Sequence, residues 1–131
     1  MKMNYFIWLT KFKFLLVDDD EFIRDSLSIV FKNNACSIWT AETAEEGFQI
    51  LKKIQFDVII SDLRLPGIDG LEFLRMAKTC QEGALRMLIT AYRDKAIISE
   101  ATPFGINNYI EKPFSVEYLA KSLAMLIRTH L

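Results

Sequence analysis

Leu15-Leu16-Val17-Asp18-Asp19-Asp20 is an apolar strand that stops abruptly on three carboxylates. Like charge concentrated at a strand end is unfavourable unless a cation sits among the carboxylates or one of them does chemistry. Two further landmarks repeat the arrangement. Asp62 closes the apolar run Val58-Ile59-Ile60-Ser61-Asp62, and Lys112-Pro113 follows Tyr109-Ile110-Glu111. An acidic cluster, a lone Asp and a Lys at the ends of parallel strands would meet at one edge of a sheet. The pattern predicts a divalent-cation site built around a reactive aspartate.

Outward from that stretch, short β-rich runs alternate with stretches of helical period. The strands are predicted over Phe12–Val17, Cys36–Ala41, Asp57–Ser61, Leu85–Thr90 and Asn108–Glu111. Glu21–Asn33 places Phe22, Ile23, Leu27, Val30 and Phe31 on one helical face. Ala44–Lys53 follows Thr43, with Glu46 at capping-box spacing. Leu71–Thr79, Asp94–Thr102 and Ser115–Arg128 complete five predicted helices, and Pro103 is expected to fray the end of the fourth. Strand–helix alternation with short loops implies an α/β fold, a doubly wound parallel sheet covered by helices on both sides. Sites in such sheets lie beyond the carboxyl ends of the strands, where Asp18, Asp19, Asp62, Thr90 and Lys112 fall.

The 131 residues suffice for one domain. With 51% hydrophobic and 25% charged residues, a folded globule is expected rather than a disordered chain. A net charge of −1 argues against nucleic acid as the main partner, because duplex binding needs a concentrated basic face. Cys36 and Cys80 are far apart in sequence and are read as buried thiols of a reducing cytoplasm. Residues 1–11 contain one apolar stretch, Tyr5-Phe6-Ile7-Trp8-Leu9, too short for a signal-peptide core or a bilayer span. A soluble cytoplasmic protein is expected. Chain ends of this kind are commonly disordered, but five large apolar residues in a row argue that part of this one docks, on this domain or on a second copy.

With these residues in place, the chain resembles the receiver domain of two-component response regulators over roughly Lys13 to Leu131. Val17-Asp18-Asp19-Asp20 is similar to the family's acidic pair, and Ser61-Asp62-Leu63-Arg64-Leu65-Pro66-Gly67-Ile68-Asp69-Gly70 to its phosphoacceptor segment. Leu88-Ile89-Thr90-Ala91 resembles the switch-threonine segment, and Tyr109-Ile110-Glu111-Lys112-Pro113-Phe114 the aromatic-switch and lysine segment. Any one of these would be weak, since Asp-Gly and Lys-Pro are common turn pairs. All four, in order and on matching strand ends, are specific. The resemblance implies a flavodoxin-like five-stranded sheet of order 2-1-3-4-5, with residues 12–131 as the receiver domain and residues 1–11 outside it.

The resemblance also implies roles. Asp62 would be the phosphoacceptor, with Mg²⁺ held by Asp19, Asp62 and the backbone carbonyl of Arg64, and by Asp18 through water. Lys112 would pair with a phosphate oxygen as a mobile point charge, and the Lys112–Pro113 bond would be cis. Thr90 would move towards the phosphoryl group and let Tyr109 swing inward. Arg64 and Tyr92, each two residues past a key position, would screen the water that hydrolyses the phosphoryl group. Plainer roles exist for each: helix capping for Asp18–Asp20, with Asp20 the leading pure cap; a solvated loop for Lys112, Arg64 and Tyr92; an ordinary strand end for Thr90; a half-buried strand position for Tyr109. His130, the single histidine, stands near the chain end and is expected to be neither base nor phosphodonor. The phosphoryl group would therefore come from a histidine kinase, a phosphotransfer protein or a small phosphodonor.

The expected function is a phosphorylation-dependent signalling switch. Modification would alter the surface formed by the fourth helix, fifth strand and fifth helix, and so change affinity for a downstream effector or a second copy of the chain. No turnover enzyme is expected, since a hydrolase would need an acid or base beside the nucleophile. The competing class is a pseudo-receiver, a protein-binding module that never takes phosphate. Such members usually lack an acidic residue, the Asp or the Lys, and this chain has all of them.

Overall fold

Aliphatic and β-branched runs form the strands β1 (Lys13–Val17), β2 (Ser37–Ala41), β3 (Val58–Asp62), β4 (Leu85–Thr90) and β5 (Asn108–Glu111). The computed structural model describes residues 4–91, 94, 96 and 105–130. Neighbouring strands are parallel, in the order β2-β1-β3-β4-β5. β3 and β4 are buried along their whole length, as strands covered on both faces must be. Val17 lies beside Ala41 and Ser61, Asp62 beside Ile89, and Thr90 beside Glu111. The carboxyl ends of the strands are thus level, and the residues that leave them start from one edge.

Among the described residues there are four α-helices: α1 (Glu21–Asn33), α2 (Ala44–Leu51), α3 (Gly70–Cys80) and α4 (Val116–His130). The sequence predicts five. The additional stretch, Asp94–Thr102, lies outside the described residues apart from Asp94 and Ala96. Each of the first three helices begins on an oxygen-bearing side chain that accepts a backbone N–H of the first turn: Asp20, Thr43 and Asp69. Asp20 is therefore a cap, as its place in the acidic run suggests. Glu46 reaches back to the Glu42 N–H at 3.2 Å and completes a capping box shifted by one residue.

Alternation along β1 divides the core. Phe14 and Leu16 face α1 and α4 with Phe31, Leu119 and Leu123, while Leu15 and Val17 face α2 and α3 with Phe73 and Leu74. Residues Tyr5–Leu9 form a 3-10 helix capped by the Asn4 side chain. It packs against α4 and inserts Phe6 edge-on to Phe31, ring centroids 5.4 Å apart, while Leu9 is fully buried. Phe31 stands edge-on to Phe14 in turn, at 5.6 Å. This turn precedes β1 and lies by the amino-terminal ends of β1 and β2, where the Phe12 N–H donates to the Leu9 carbonyl and the Cys36 thiol to that of Phe6.

One cysteine differs from expectation. Cys36 is buried but Cys80 is exposed. The buried stripe of α3, Gly70, Phe73, Leu74 and Ala77, stops short of it, and Gln81 turns inward instead. The Gln81 amide oxygen accepts the Phe56 N–H at 2.8 Å, and its nitrogen donates to the carbonyls of Leu51 and Ile54 at 3.0 and 2.7 Å. One side chain thereby satisfies the backbone that connects α2 to β3. Gln81→Leu, which keeps the volume and orphans these groups, is expected to lower unfolding stability by about 2–4 kcal/mol, measured by urea denaturation; a loss below about 0.5 kcal/mol would show that water replaces the amide.

Candidate functional site

Asp18 is the first residue beyond β1 and is fully buried. Its backbone is pinned on both sides, by N–H donation to the Ala41 carbonyl at 3.1 Å and by the Arg24 guanidinium on its own carbonyl at 2.8 Å. Oδ1 accepts the Asp20 N–H at 2.9 Å. Oδ2 is buried and makes no hydrogen bond, although the Lys112 ammonium stands 3.5 Å away as an ion-pair partner. Asp62 ends β3, where Oδ2 accepts from Lys112 Nζ at 3.0 Å and Oδ1 from the Arg64 N–H at 3.3 Å. Oxygens of Asp18, Asp19 and Asp62 all lie within 4.8 Å of one another, and Asp19 is the solvent-facing member.

Backbone contacts fix the chain at the ends of β3 and β5. The chain turns so tightly after β3 that Gly70 donates to the Leu63 carbonyl at 2.9 Å, and a Cβ at residue 70 would sit 1.8 Å from the Asp62 carbonyl oxygen. Only glycine fits there. On the opposite side the Lys112 N–H donates to the Thr90 carbonyl at 2.7 Å, and the Lys112–Pro113 peptide is cis.

Burial pushes the Asp18 carboxyl up to about 6, helped by the negative charge of Asp62 and opposed by the Asp20 N–H and by Lys112. Burial works to lower Lys112, but its hydrogen bond to Asp62 and the charges of Asp18 and Asp62 outweigh that and hold it above the ordinary lysine value. Among the described residues one ammonium, that of Lys112, is paired with these carboxylates, and it does not balance three of them. The orphaned, buried Asp18 Oδ2 and an all-oxygen donor set fit a small hard divalent cation of the Mg²⁺ kind, and offer no nitrogen or sulfur for a softer metal.

Thr90 is buried beside this pocket, with its hydroxyl donating to the Ile110 carbonyl at 3.4 Å. Tyr109 faces outward, 49% exposed. The Arg64 side chain leaves the loop after β3 and binds Asp94: Nε donates to Oδ1 at 3.1 Å, and a second hydrogen bond runs from Nη2 to the same oxygen. Tyr92 lies outside the described residues. The structure thus brings Asp18, Asp19, Asp62 and Lys112 together, with Thr90 and Arg64 at the rim. Asp94 and Arg24 escaped the sequence reading. Asp94 stands at the start of the predicted helix Asp94–Thr102 and Arg24 within the predicted helix Glu21–Asn33, and neither spacing nor hydropathy marks a side chain that reaches beyond its own element.

A family model described as the response regulator receiver domain matches residues 14–124. The chain belongs to this family. Among its relatives, the transcriptional regulatory protein FixJ of Bradyrhizobium diazoefficiens is 29% identical over 119 residues, which are 91% of this chain and 58% of FixJ. Sporulation initiation phosphotransferase F of Bacillus subtilis is 30% identical over 105 residues, 80% of this chain and 85% of the relative. Among solved structures, the chemotaxis response regulator CheY4 of Vibrio cholerae superimposes with a TM-score of 0.80 at 28% identity, covering 87% of this chain and 97% of its own. A CheY-like receiver domain protein of Methanospirillum hungatei gives 0.84 at 25% identity, over 90% and 94% of the two chains. As a receiver domain the chain is a signalling module of two-component systems with a flavodoxin-like sheet. No helix among the described residues is long and apolar enough to cross a membrane.

The raised Asp18 carboxyl sets a pH dependence. The folded state holds that proton more tightly than the unfolded chain, whose ordinary value is 3.8, so the contribution of Asp18 to stability declines as pH rises from about 4 to about 6. With EDTA present, the melting temperature of the wild type is expected to fall relative to Asp18→Asn across that window, and Asp18→Asn to be the more stable protein at pH 7. Parallel melting profiles for the two proteins would show that Asp18 is not strained by its burial.

Proposed function

We propose that the chain is a phosphorylation-dependent switch whose phosphoacceptor is Asp62. The observation that carries this reading is the placement of the Asp62 carboxylate: one oxygen is held by Lys112 at 3.0 Å, and Asp18 and Asp19 lie within 4.8 Å. In the reaction an Asp62 oxygen forms a bond to phosphorus while the bond from phosphorus to the donor breaks, and the donor leaves with the bonding pair. The single histidine here, His130, is tied to the Leu126 carbonyl near the end of α4 and is remote in sequence from the carboxylates, so the proposed donor is a separate group, a phosphohistidine of a kinase or phosphotransfer protein or a small phosphodonor. Bound Mg²⁺ would neutralise charge on the phosphoryl oxygens and lower the repulsion an anionic nucleophile meets. Asp19, Asp62 and the Arg64 carbonyl are the proposed ligands, with Asp18 acting through a water and Lys112 moving to a phosphoryl oxygen.

Thr90 and Tyr109 are the proposed readers. In the present arrangement the Thr90 hydroxyl is engaged with Ile110 and Tyr109 points outward, the geometry suited to an unmodified protein. A phosphoryl group adds about −1.5 to −2 charge and would draw the Thr90 hydroxyl away, vacating space that the Tyr109 ring enters. The surface around Tyr109, Tyr118 and Met125 would then change its affinity for an effector or for a second copy of the chain. FixJ, a transcriptional regulatory protein, is longer than its match to this chain, in keeping with an effector joined to or recruited by such a domain. A cytoplasmic location fits these partners, and the chain would release its own phosphoryl group without turning over an external substrate.

Incubation with Mg²⁺ and acetyl phosphate is expected to add one phosphoryl group to the wild type by intact mass, and none to Asp62→Asn or to the wild type in EDTA. No adduct on a wild type that demonstrably binds Mg²⁺, with either acetyl phosphate or a phosphorylated kinase, would favour a pseudo-receiver binding module. In the modified protein, Thr90→Ala should leave the adduct intact but abolish the change in the Tyr109 ring resonances that the wild type shows.

A further inference from the structure

The two edges of the sheet are unlike. β5 runs into Glu111, Lys112 and Pro113, charge and proline of the kind that deter another strand from pairing. β2, at the other edge, is Ser37-Ile38-Trp39-Thr40-Ala41, and from Asn33 to Ala41 the chain holds no charged residue and no proline. Its central residues are β-branched or aromatic, the types that suit a strand. Ser37 is exposed and Trp39 and Thr40 are half-buried, so the strand is open to solvent.

Hydrogen bonding leaves a short, bounded gap along β2. In a parallel ladder the N–H and carbonyl of one residue point to the same side, and alternate residues point to opposite sides. Asp18 donates to the Ala41 carbonyl at 3.1 Å, so Ala41, Trp39 and Ser37 turn their backbone groups towards β1. Ile38 and Thr40 turn theirs outward, where β2 has no neighbouring strand. On either side of them the outward N–H groups are occupied: Cys36 donates to the Phe31 carbonyl at 2.9 Å, and Glu42 to the Glu46 carboxylate at 3.2 Å. Among the described residues, two N–H groups and two carbonyls in between are left without a protein partner.

We propose that this edge pairs with the β2 edge of a second copy of the chain, antiparallel about a two-fold axis at Trp39. The gap is self-complementary. Ile38 of each copy exchanges both backbone hydrogen bonds with Thr40 of the other, which uses all four unpaired groups and no others. Trp39 then faces its own counterpart in the non-hydrogen-bonded position, where cross-strand side chains come closest and aromatic pairs stabilise a sheet. The ring is already held edge-on to Phe56, centroids 5.4 Å apart, so it has little freedom left to lose. No charge on the strand opposes its copy, and the two-fold satisfies a two-residue window that a longer foreign strand would overrun into the occupied groups of Cys36 and Glu42. Two short strands bury less than the roughly 1,200–2,000 Å² of a stable complex, so the dimer forms reversibly at micromolar concentrations. Antiparallel pairing sends the carboxyl ends of the two sheets in opposite directions and leaves both Asp62 pockets open, which makes the dimer independent of the proposed phosphorylation.

The test is sedimentation equilibrium on the full chain, from low to high micromolar concentration, in EDTA and again with Mg²⁺ and acetyl phosphate. The wild type is expected to approach the mass of a dimer as concentration rises, to the same extent in both buffers. Thr40→Pro removes an outward N–H without touching the ladder to β1, and should weaken association at least about tenfold, since one hydrogen bond is lost from each copy. Trp39→Lys sets like charges opposite one another across the two-fold and should weaken association at least as much, while its apolar stem still covers Phe56. Circular dichroism checks the fold of each variant, and if one does not fold the other decides. Under mild oxidation, Trp39→Cys in a Cys80→Ser chain should cross-link at least about tenfold faster than Ser37→Cys in the same chain, because only residue 39 faces its own copy at disulfide distance.

A wild type that stays monomeric at the highest concentration overturns the proposal and leaves the edge to a strand of another protein. So does a dimer that the folded variants form as readily as the wild type, or one that forms only with acetyl phosphate, since either places the contact on another face. Cross-linking at residue 37 as fast as at residue 39 removes the two-fold at Trp39, and the proposal with it.

Discussion

Mutual repulsion among carboxylates at the carboxyl edge of the sheet is the constraint on which this structure turns. Asp18 is wholly buried, Asp62 nearly so, and Asp19 completes a cluster in which the oxygens approach within 4.8 Å. Nothing in folding favours that arrangement by itself. The chain tolerates it because Lys112 stands between Asp18 and Asp62, because backbone N–H groups of Asp20 and Arg64 point at the carboxylates, and because one edge of the cluster opens to solvent. The compensation is incomplete, and Asp18 Oδ2 carries the deficit. A site with that surplus of negative charge favours the arrival of a divalent cation.

Much of the remaining architecture serves to keep that edge in register. Parallel pairing from β2 to β5 brings five strand ends level, so residues distant in sequence converge without a long loop. Gly70 lets α3 start directly against the backbone of Asp62, and Gln81 fixes the connection by which β3 enters the sheet. Small errors at either place would move the Asp62 carboxylate relative to Lys112. Positions that carry no chemistry of their own are for that reason among the most restrictive in the chain.

The fold was legible in the sequence because its signals are local and periodic: continuous apolar runs for the buried strands β3 and β4, a helical stripe in α1, caps at Asp20 and Thr43. The core of the site was legible too, since charge at the end of an apolar strand has few innocent explanations. Side chains whose roles depend on a distant partner were not. Nothing about Gln81 in the sequence distinguishes it from a solvated helix end, and Asp94 reads as a helix-starting residue until the Arg64 guanidinium is found on it. Cys80 was misplaced because the general tendency of free thiols to be buried does not say which side of α3 its last residue takes. The N-terminal stretch Tyr5–Leu9 showed its apolarity but not its destination, which depends on where α1 and α4 leave Phe31 uncovered.

That stretch bears on where the domain can be cut. The family match begins at residue 14, yet Phe6 and Leu9 are buried against Phe31 and α4, and the Cys36 thiol donates to the Phe6 carbonyl at 3.6 Å. A fragment trimmed to the homologous boundary would expose an aromatic seam at the floor of the sheet and make Cys36 accessible to oxidants. Such a fragment would be prone to self-association through a surface that the intact chain never presents. For this chain the family boundary is therefore not the physical one, which lies at least as far back as the Asn4 cap.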